Sequence, residues 1–204
     1  VLLPGGVLSI TAGRPKTLAM LHDVDLERTP IGVVTQRRSE VDDPTIEDVF
    51  PIGTLARVVK KQQVGPQAYL LVVQGLSRFS LTDIISYAPY WRASVVPAED
   101  QGEESPELRP LFEAIRTMVE EAVEVLPDVP SGVAEMLRQV ENPSTLPDLI
   151  AANLDLTIEE KVRVLEALNL EDRLKRAMEG VSRLKAEVEI KQKINNQVRE
   201  ELAR

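Results

Sequence analysis

Apolar and polar positions change their rhythm part-way along this chain. Up to about residue 98 the apolar residues are largely β-branched, come in short runs, and are broken by Gly and Pro; from about residue 106 they recur at steps of three and four. The first pattern predicts strands at Ile31–Gln36, Thr54–Gln63, Ala68–Gln74, Phe79–Ile85 and Trp91–Val96. Phe79 and Leu81 alternate with Ser80 and Thr82, giving a strand one dry and one wet face, and Val64-Gly65-Pro66-Gln67 suits a hairpin connection. A curled, mostly antiparallel sheet is the economical arrangement. One helix interrupts it, opened by Pro15 at a first helical position and carrying Leu18, Met20 and Leu21.

The second rhythm predicts helices. Ser105-Pro106 begins one that carries Leu108, Leu111, Phe112, Ile115, Val119, Ala122 and Leu126 on one face. Ser131 is placed to cap the next, which Asn142-Pro143 stops, and a short helix near Leu146–Leu154 follows. Thr157 and Glu160 match a capping box ahead of Val162, Val164, Leu165 and Leu168. From Leu170 onward there is no proline and a single glycine, Gly180, so one helix reaching about 50 Å is permitted. Its stripe of Leu174, Met178, Val181, Leu184, Val188, Ile194, Val198 and Leu202 exceeds what one compact bundle buries, so the far end is expected to project or meet another chain.

The expected organisation is therefore a β-rich region over 1–98, a solvated acidic linker over 99–105 whose largest apolar side chain is alanine, and a helical region over 106–204 ending in a long helix from about 170. The 204 residues suffice for one large or two small cores, and no apolar run approaches the roughly 20 residues of a membrane span. The opening Val1-Leu2-Leu3-Pro4-Gly5-Gly6 has no initiator Met and no signal-peptide pattern, so the chain reads as cut at its front. Cysteine is absent, which excludes disulfides and thiolate metal sites and suits a cytoplasmic protein.

The net charge of -9 disfavours general nucleic-acid binding. It is unevenly spread: Glu171–Arg204 holds nine basic and seven acidic residues, leaving fifteen and twenty-six upstream.

Catalytic patterns are missing. There is no G-x-x-x-x-G-K-[ST] loop to wrap a triphosphate, no G-x-S-x-G elbow, and His22 has no second histidine. Asp42-Asp43 and Glu47-Asp48 read as turn chemistry around Pro44 and Thr45 rather than a divalent-ion site. Arg37-Arg38 and Lys60-Lys61 are too short for a nucleic-acid track and suit strand-edge solubility. No cofactor or metal is expected in this chain.

Taken in order, these segments resemble the amino-terminal domain of Lon-type ATP-dependent proteases. The likeness runs through Val1-Leu2-Leu3-Pro4-Gly5, Gly13-Arg14-Pro15-Lys16-Thr17, Val33–Arg37, Asp42-Asp43-Pro44, Ile52–Val58, Val72–Arg78 and Asn142–Ala152. Ser9-Ile10-Thr11-Ala12 departs from it by lacking a proline, and Gly65-Pro66 replaces a more usual Asp-Gly. The resemblance implies an α+β fold in which a PUA-like β-rich pseudo-barrel is followed by a helical bundle. It also implies a module that binds unfolded or degron-bearing proteins through exposed apolar surface, within a hexamer. The ATPase and Ser-Lys protease modules, with their ATP and Mg, would lie downstream of Arg204, so no catalytic residue carries over. Candidate substrate contacts are Leu3, Pro4, Val7 and Leu8, then Tyr90 and Trp91; candidate assembly residues are Val188, Ile194, Val198 and Leu202.

Overall fold

A computed structural model describes residues 1–203, which form two compact units, Val1–Asp100 and Gln101–Arg204. The first is built from strands β1 (Val7–Ala12), β2 (Ile31–Val33), β3 (Ile52–Gly65), β4 (Ala68–Ser86) and β5 (Arg92–Pro97), with helix α1 (Pro15–Asp23) between β1 and β2. The strands make one antiparallel sheet in the order β1-β4-β3-β2, with β5 also on β4. The 19-residue β4 is the organising element: β3 lies along one edge, while β1 and then β5 share the other.

Straight, such a strand would extend roughly 60 Å. It curls instead, because chain from both ends returns to α1: Tyr69, near its start, stacks edge-on against His22 with ring centroids 6.2 Å apart, and Tyr90, just past its end, donates a 2.8 Å hydrogen bond to Asp23. Register shifts at Leu55/Ala56 and Val58/Lys60 of β3, and at Leu81/Asp83 and Ile84/Ser86 of β4, add the local bend that closure needs. The core of this pseudo-barrel is Leu2, Ala12, Leu21, Ala56, Leu71 and Val73, with Leu8, Ile10, Leu18 and Val58 packed against it.

Two expectations change here. Gln74 to Phe79 reads as a break between strands, yet Gly75 to Arg78 lie inside β4. Gly75 is there because the opening segment crosses it: a Cβ at that position would collide with the Leu3 carbonyl, while Gly5 N–H donates to Gly75 at 3.0 Å and Gly75 N–H to Gly6 at 2.9 Å. Val7–Ala12, which suggested no strand in advance, forms β1.

The second unit holds α2 (Leu108–Val125), α3 (Ser131–Gln139), α4 (Thr145–Asn153), α5 (Ile158–Glu166) and α6 (Leu170–Leu202). α6 packs along α2, α4 and α5 through Leu170, Leu174, Ala177, Val181 and Leu184. The Thr157 box forms as expected, Glu160 N–H donating to Thr157 Oγ1 at 3.1 Å and Thr157 N–H to Glu160 at 2.8 Å. Ser131, by contrast, is the first helical residue and Pro130 holds the cap position, since the rigid ring already sets an extended entry. The expected linker also differs: Gln101 N–H donates to Leu168 at 2.8 Å and its carbonyl accepts from Leu170 at 2.9 Å, tying this stretch to the start of α6.

Candidate functional site

The four front residues separate by burial. Leu3 is 1% exposed, so it belongs to the core and presents no surface to a partner, a correction that follows from the segment folding down across Gly75. Pro4 is half-buried. On β1 the alternation of a strand decides the rest: Leu8 and Ile10 face the core, whereas Val7, at 64% exposure, points the other way with Ser9 and Thr11.

Pairing extends that outward face across three strands. Val7 stands opposite Gln74, which stands opposite Arg57; Ser9 opposite Val72 and Lys60; Thr11 opposite Leu70 and Gln62. The result is a ladder with Val7, Val72 and Leu70 apolar, two cations along β3, and no carboxylate. Val59, in the bulge between Val58 and Lys60, is 53% exposed beside it.

Tyr90 and Trp91 lie in the connection from β4 to β5, which contains the cis Ala88–Pro89 bond. Trp91 sits edge-on to Tyr87 at 5.2 Å, and the Tyr87 hydroxyl accepts from the Ile46 N–H at 3.1 Å. Lys16 places its ammonium 5.7 Å from the same Tyr87 ring while pairing with Asp43 at 2.7 Å. Hydrogen bonding to the Asp23 carboxylate pushes the Tyr90 phenol up from its ordinary value. Both tyrosines are thereby pinned, and this corner is a half-exposed aromatic surface rather than a loose loop. The 3-10 turn Ile46–Asp48 beneath it confirms the turn reading of the acidic pair, because Thr45 N–H donates to Asp48 at 2.7 Å. Among the described residues no cluster of His, Cys, Asp or Glu is arranged to hold a metal.

From the aromatic corner β5 runs back along β4 with all six residues exposed, including Val95 at 44% and Val96 at 48%, and Ile85 on β4 is 61% exposed. Neither these residues nor Val72 and Arg57 stood out in the sequence, and Lys60 did so only beside Lys61, as a charge suited to a strand edge. The signal available was alternation within Val7–Ala12, which separates Val7 from Leu8 once it is read as a strand.

In the second unit Leu184 is the last buried residue of α6. Val188 is half-buried, 400° beyond Leu184 at about 100° per residue, and so continues the packing face. Ile194, Val198 and Leu202 are 52%, 48% and 82% exposed and form a separate stripe that starts at Ile190, 58% exposed. Ile190, absent from the expected stripe, therefore heads the outer one. Among the described residues no helix is long and apolar enough to cross a membrane.

Comparison with known proteins places this arrangement. Residues 1–183 match the family described as the ATP-dependent protease La (LON) substrate-binding domain. The whole chain is 39% identical to Lon protease 2 of Myxococcus xanthus, covering 25% of that protein, and 38% identical to Lon protease of Anaeromyxobacter dehalogenans, covering 24%. It thus spans about a quarter of the length of these relatives. In fold it is similar to the N-terminal domain of Mycobacterium avium complex Lon protease, with a TM-score of 0.68 at 16% identity over 89% of this chain and 92% of that one. A Lon N-terminal domain protein from Xanthomonas campestris matches with a TM-score of 0.56 at 17% identity, over 86% and 90% of the two chains.

Proposed function

The chain belongs to the LON substrate-binding domain family, and from that premise we propose that its β-rich unit captures unfolded or degron-bearing proteins for an ATPase and protease core carried elsewhere. The observation that supports this reading is the open apolar surface of that unit. Val7, Val59, Ile85, Val95 and Val96 are each at least 44% exposed, and the half-buried Trp91 lies beside Tyr87 and Tyr90, whose hydroxyls are each fixed by a hydrogen bond. Such surface suits weak, sequence-tolerant contact: each Å² of apolar area removed from water contributes about 25 cal/mol, whichever apolar side chain supplies it. Pro4, Val7, Tyr90 and Trp91 are the proposed contacts, Leu3 and Leu8 being turned to the core, in a cytoplasmic setting. Chemistry is left to the other modules, where ATP, Mg and a Ser-Lys dyad would act. Labelled-amide NMR titration with an unfolded protein is expected to shift resonances in 1–100; an unchanged spectrum at high substrate concentration overturns the reading.

A second reading is supported by α6. The exposed Ile190, Ile194, Val198 and Leu202 recur every four residues, a spacing that advances about 40° per step past a full turn and gives a continuous ridge for another copy, as in assembly of a hexamer. Light scattering of the chain, compared with a version ending at Glu189, tests it. That end point keeps Leu184, the Lys185–Glu121 pair at 2.9 Å and the Arg183–Glu187 pair at 2.7 Å. Self-association lost on truncation supports assembly, and a monomer in both versions overturns it.

A further inference from the structure

We infer that the outward ladder of β1, β4 and β3 selects extended polypeptide segments in which apolar residues are flanked by carboxylates. This rests on the capture reading above and adds to it a place and a charge preference.

The geometry has two parts. Val7, Val72 and Leu70 give a strip of apolar side chains on the face opposite the core, with Val7 64% exposed and Val72 and Leu70 half-buried. Arg57 and Lys60, both exposed, border that strip along β3. Adjacent strands are about 4.8 Å apart, so from β1 to β3 the face spans about 10 Å, within reach of side chains on a single extended segment. No residue placed on this face by the pairing is acidic. The negative charge of the chain lies in the helical unit, where residues 101–170 hold five basic and fifteen acidic residues, whereas residues 1–100 hold ten and eleven. An acidic segment is repelled from that stretch of helices and not from the sheet. A segment rich in carboxylates is thus drawn to the sheet face where two cations stand beside apolar side chains. Apolar contact supplies the attraction and the cations supply the choice between segments.

The test uses the 204-residue chain and three fluorescent, unstructured peptides with the same apolar centre, flanked by Glu, Gln or Lys. Anisotropy at low salt is expected to rank them Glu, Gln, Lys, with the Glu and Lys peptides separated on the order of tenfold, and the gap is expected to collapse at high salt. Arg57→Glu with Lys60→Glu reverses the ranking, Arg57→Gln with Lys60→Gln removes it, and Val7→Ser weakens all three peptides alike. Unchanged thermal unfolding shows that each variant is folded. A Glu preference that survives both double variants overturns the placement. Equal binding of all three peptides, still weakened by Val7→Ser, overturns the charge preference and leaves capture standing. Absence of binding by every peptide, together with an unchanged amide spectrum on adding an unfolded protein, overturns capture itself. Binding of duplex DNA or anionic vesicles that is lost in the charge-reversed variant, with no competition by the Glu peptide, overturns a polypeptide as occupant.

Discussion

At the scale of single residues, the first unit depends on positions whose side chains are absent or minimal. Gly75 is buried inside β4 with the Leu3 carbonyl against the place a Cβ would occupy, and Gly53 has Phe79 at 2.5 Å and the Val33 carbonyl at 2.6 Å from that place. Backbone cannot yield as a flexible side chain can. Gly75→Ala is therefore expected to lower stability by about 1–3 kcal/mol in denaturant unfolding, and to release the opening segment, seen as faster amide exchange at Gly5 and loss of burial at Leu3. In the second unit a charged residue has the comparable role. Burial pushes the Glu160 carboxyl up, but the Arg183 guanidinium and the Thr157 backbone N–H outweigh it and hold the carboxyl below its ordinary 4.5. A folded-state value lowered in this way stabilises the fold above pH 4.5 and stops doing so as pH falls through the lowered value. Glu160→Gln keeps an acceptor for the Thr157 N–H and removes the charge. It is expected to cost about 1 kcal/mol at neutral pH, with the gap from the parent closing in thermal melts taken progressively below pH 4.5.

At the scale of elements, local and long-range causes separate cleanly. The α5 start is local: Thr157 and Glu160 are three residues apart and satisfy each other's backbone N–H, so Thr157→Ala is expected to lower stability by about 1 kcal/mol and to fray the first turn, measurable by exchange at Ile158 to Glu160. Such elements were legible in the sequence, because a helix's periodicity and caps report contacts within a few residues. β4 was not. Gly75 and Ser77 resemble turn residues, and what keeps them in a strand is the opening segment some seventy residues earlier, together with a bulge opposite Leu55 and Ala56. The candidate site has the same division. The aromatic corner announces itself by putting Tyr87, Tyr90 and Trp91 within five residues, whereas the ladder of Val7, Val72, Arg57 and Lys60 exists only through register between strands far apart in sequence. Leu3 and Leu8 were drawn toward the surface for want of that register. On α6, the step from Val188 to Ile190 marks where a packing face gives way to an open one, a change that periodicity alone blurs because both faces are apolar.

At the scale of the whole molecule, each unit has a core of its own, and the question is where one ends. Composition puts a solvated linker over 99–105, but hydrogen bonding puts the division before Gln101. Gln101 bridges the start of α6 through Leu168 and Leu170, Gly102 takes a φ of +82° that a side-chain-bearing residue rarely adopts, and the Ser105 hydroxyl donates to the Glu171 carboxylate. These residues act as a strap on the first turn of α6, next to Leu170 at 2% exposure and Leu174 at 0%. Fragments beginning at Gln101 and at Pro106 hold the same helices and the same apolar core, so any difference between them isolates the strap. Removing it leaves the Leu168 carbonyl and the Leu170 N–H without those partners, a loss of about 0.5–1.5 kcal/mol for each hydrogen bond. For a unit of this size that corresponds to a fall in Tm on the order of 10 °C. Circular dichroism is expected to show cooperative melting of both fragments with the shorter one less stable by that margin, and Gly102→Ala in the longer fragment is expected to move it part of the way. Equal melting temperatures would mean that 101–105 only follows the surface, and that α6 is held by its apolar face alone.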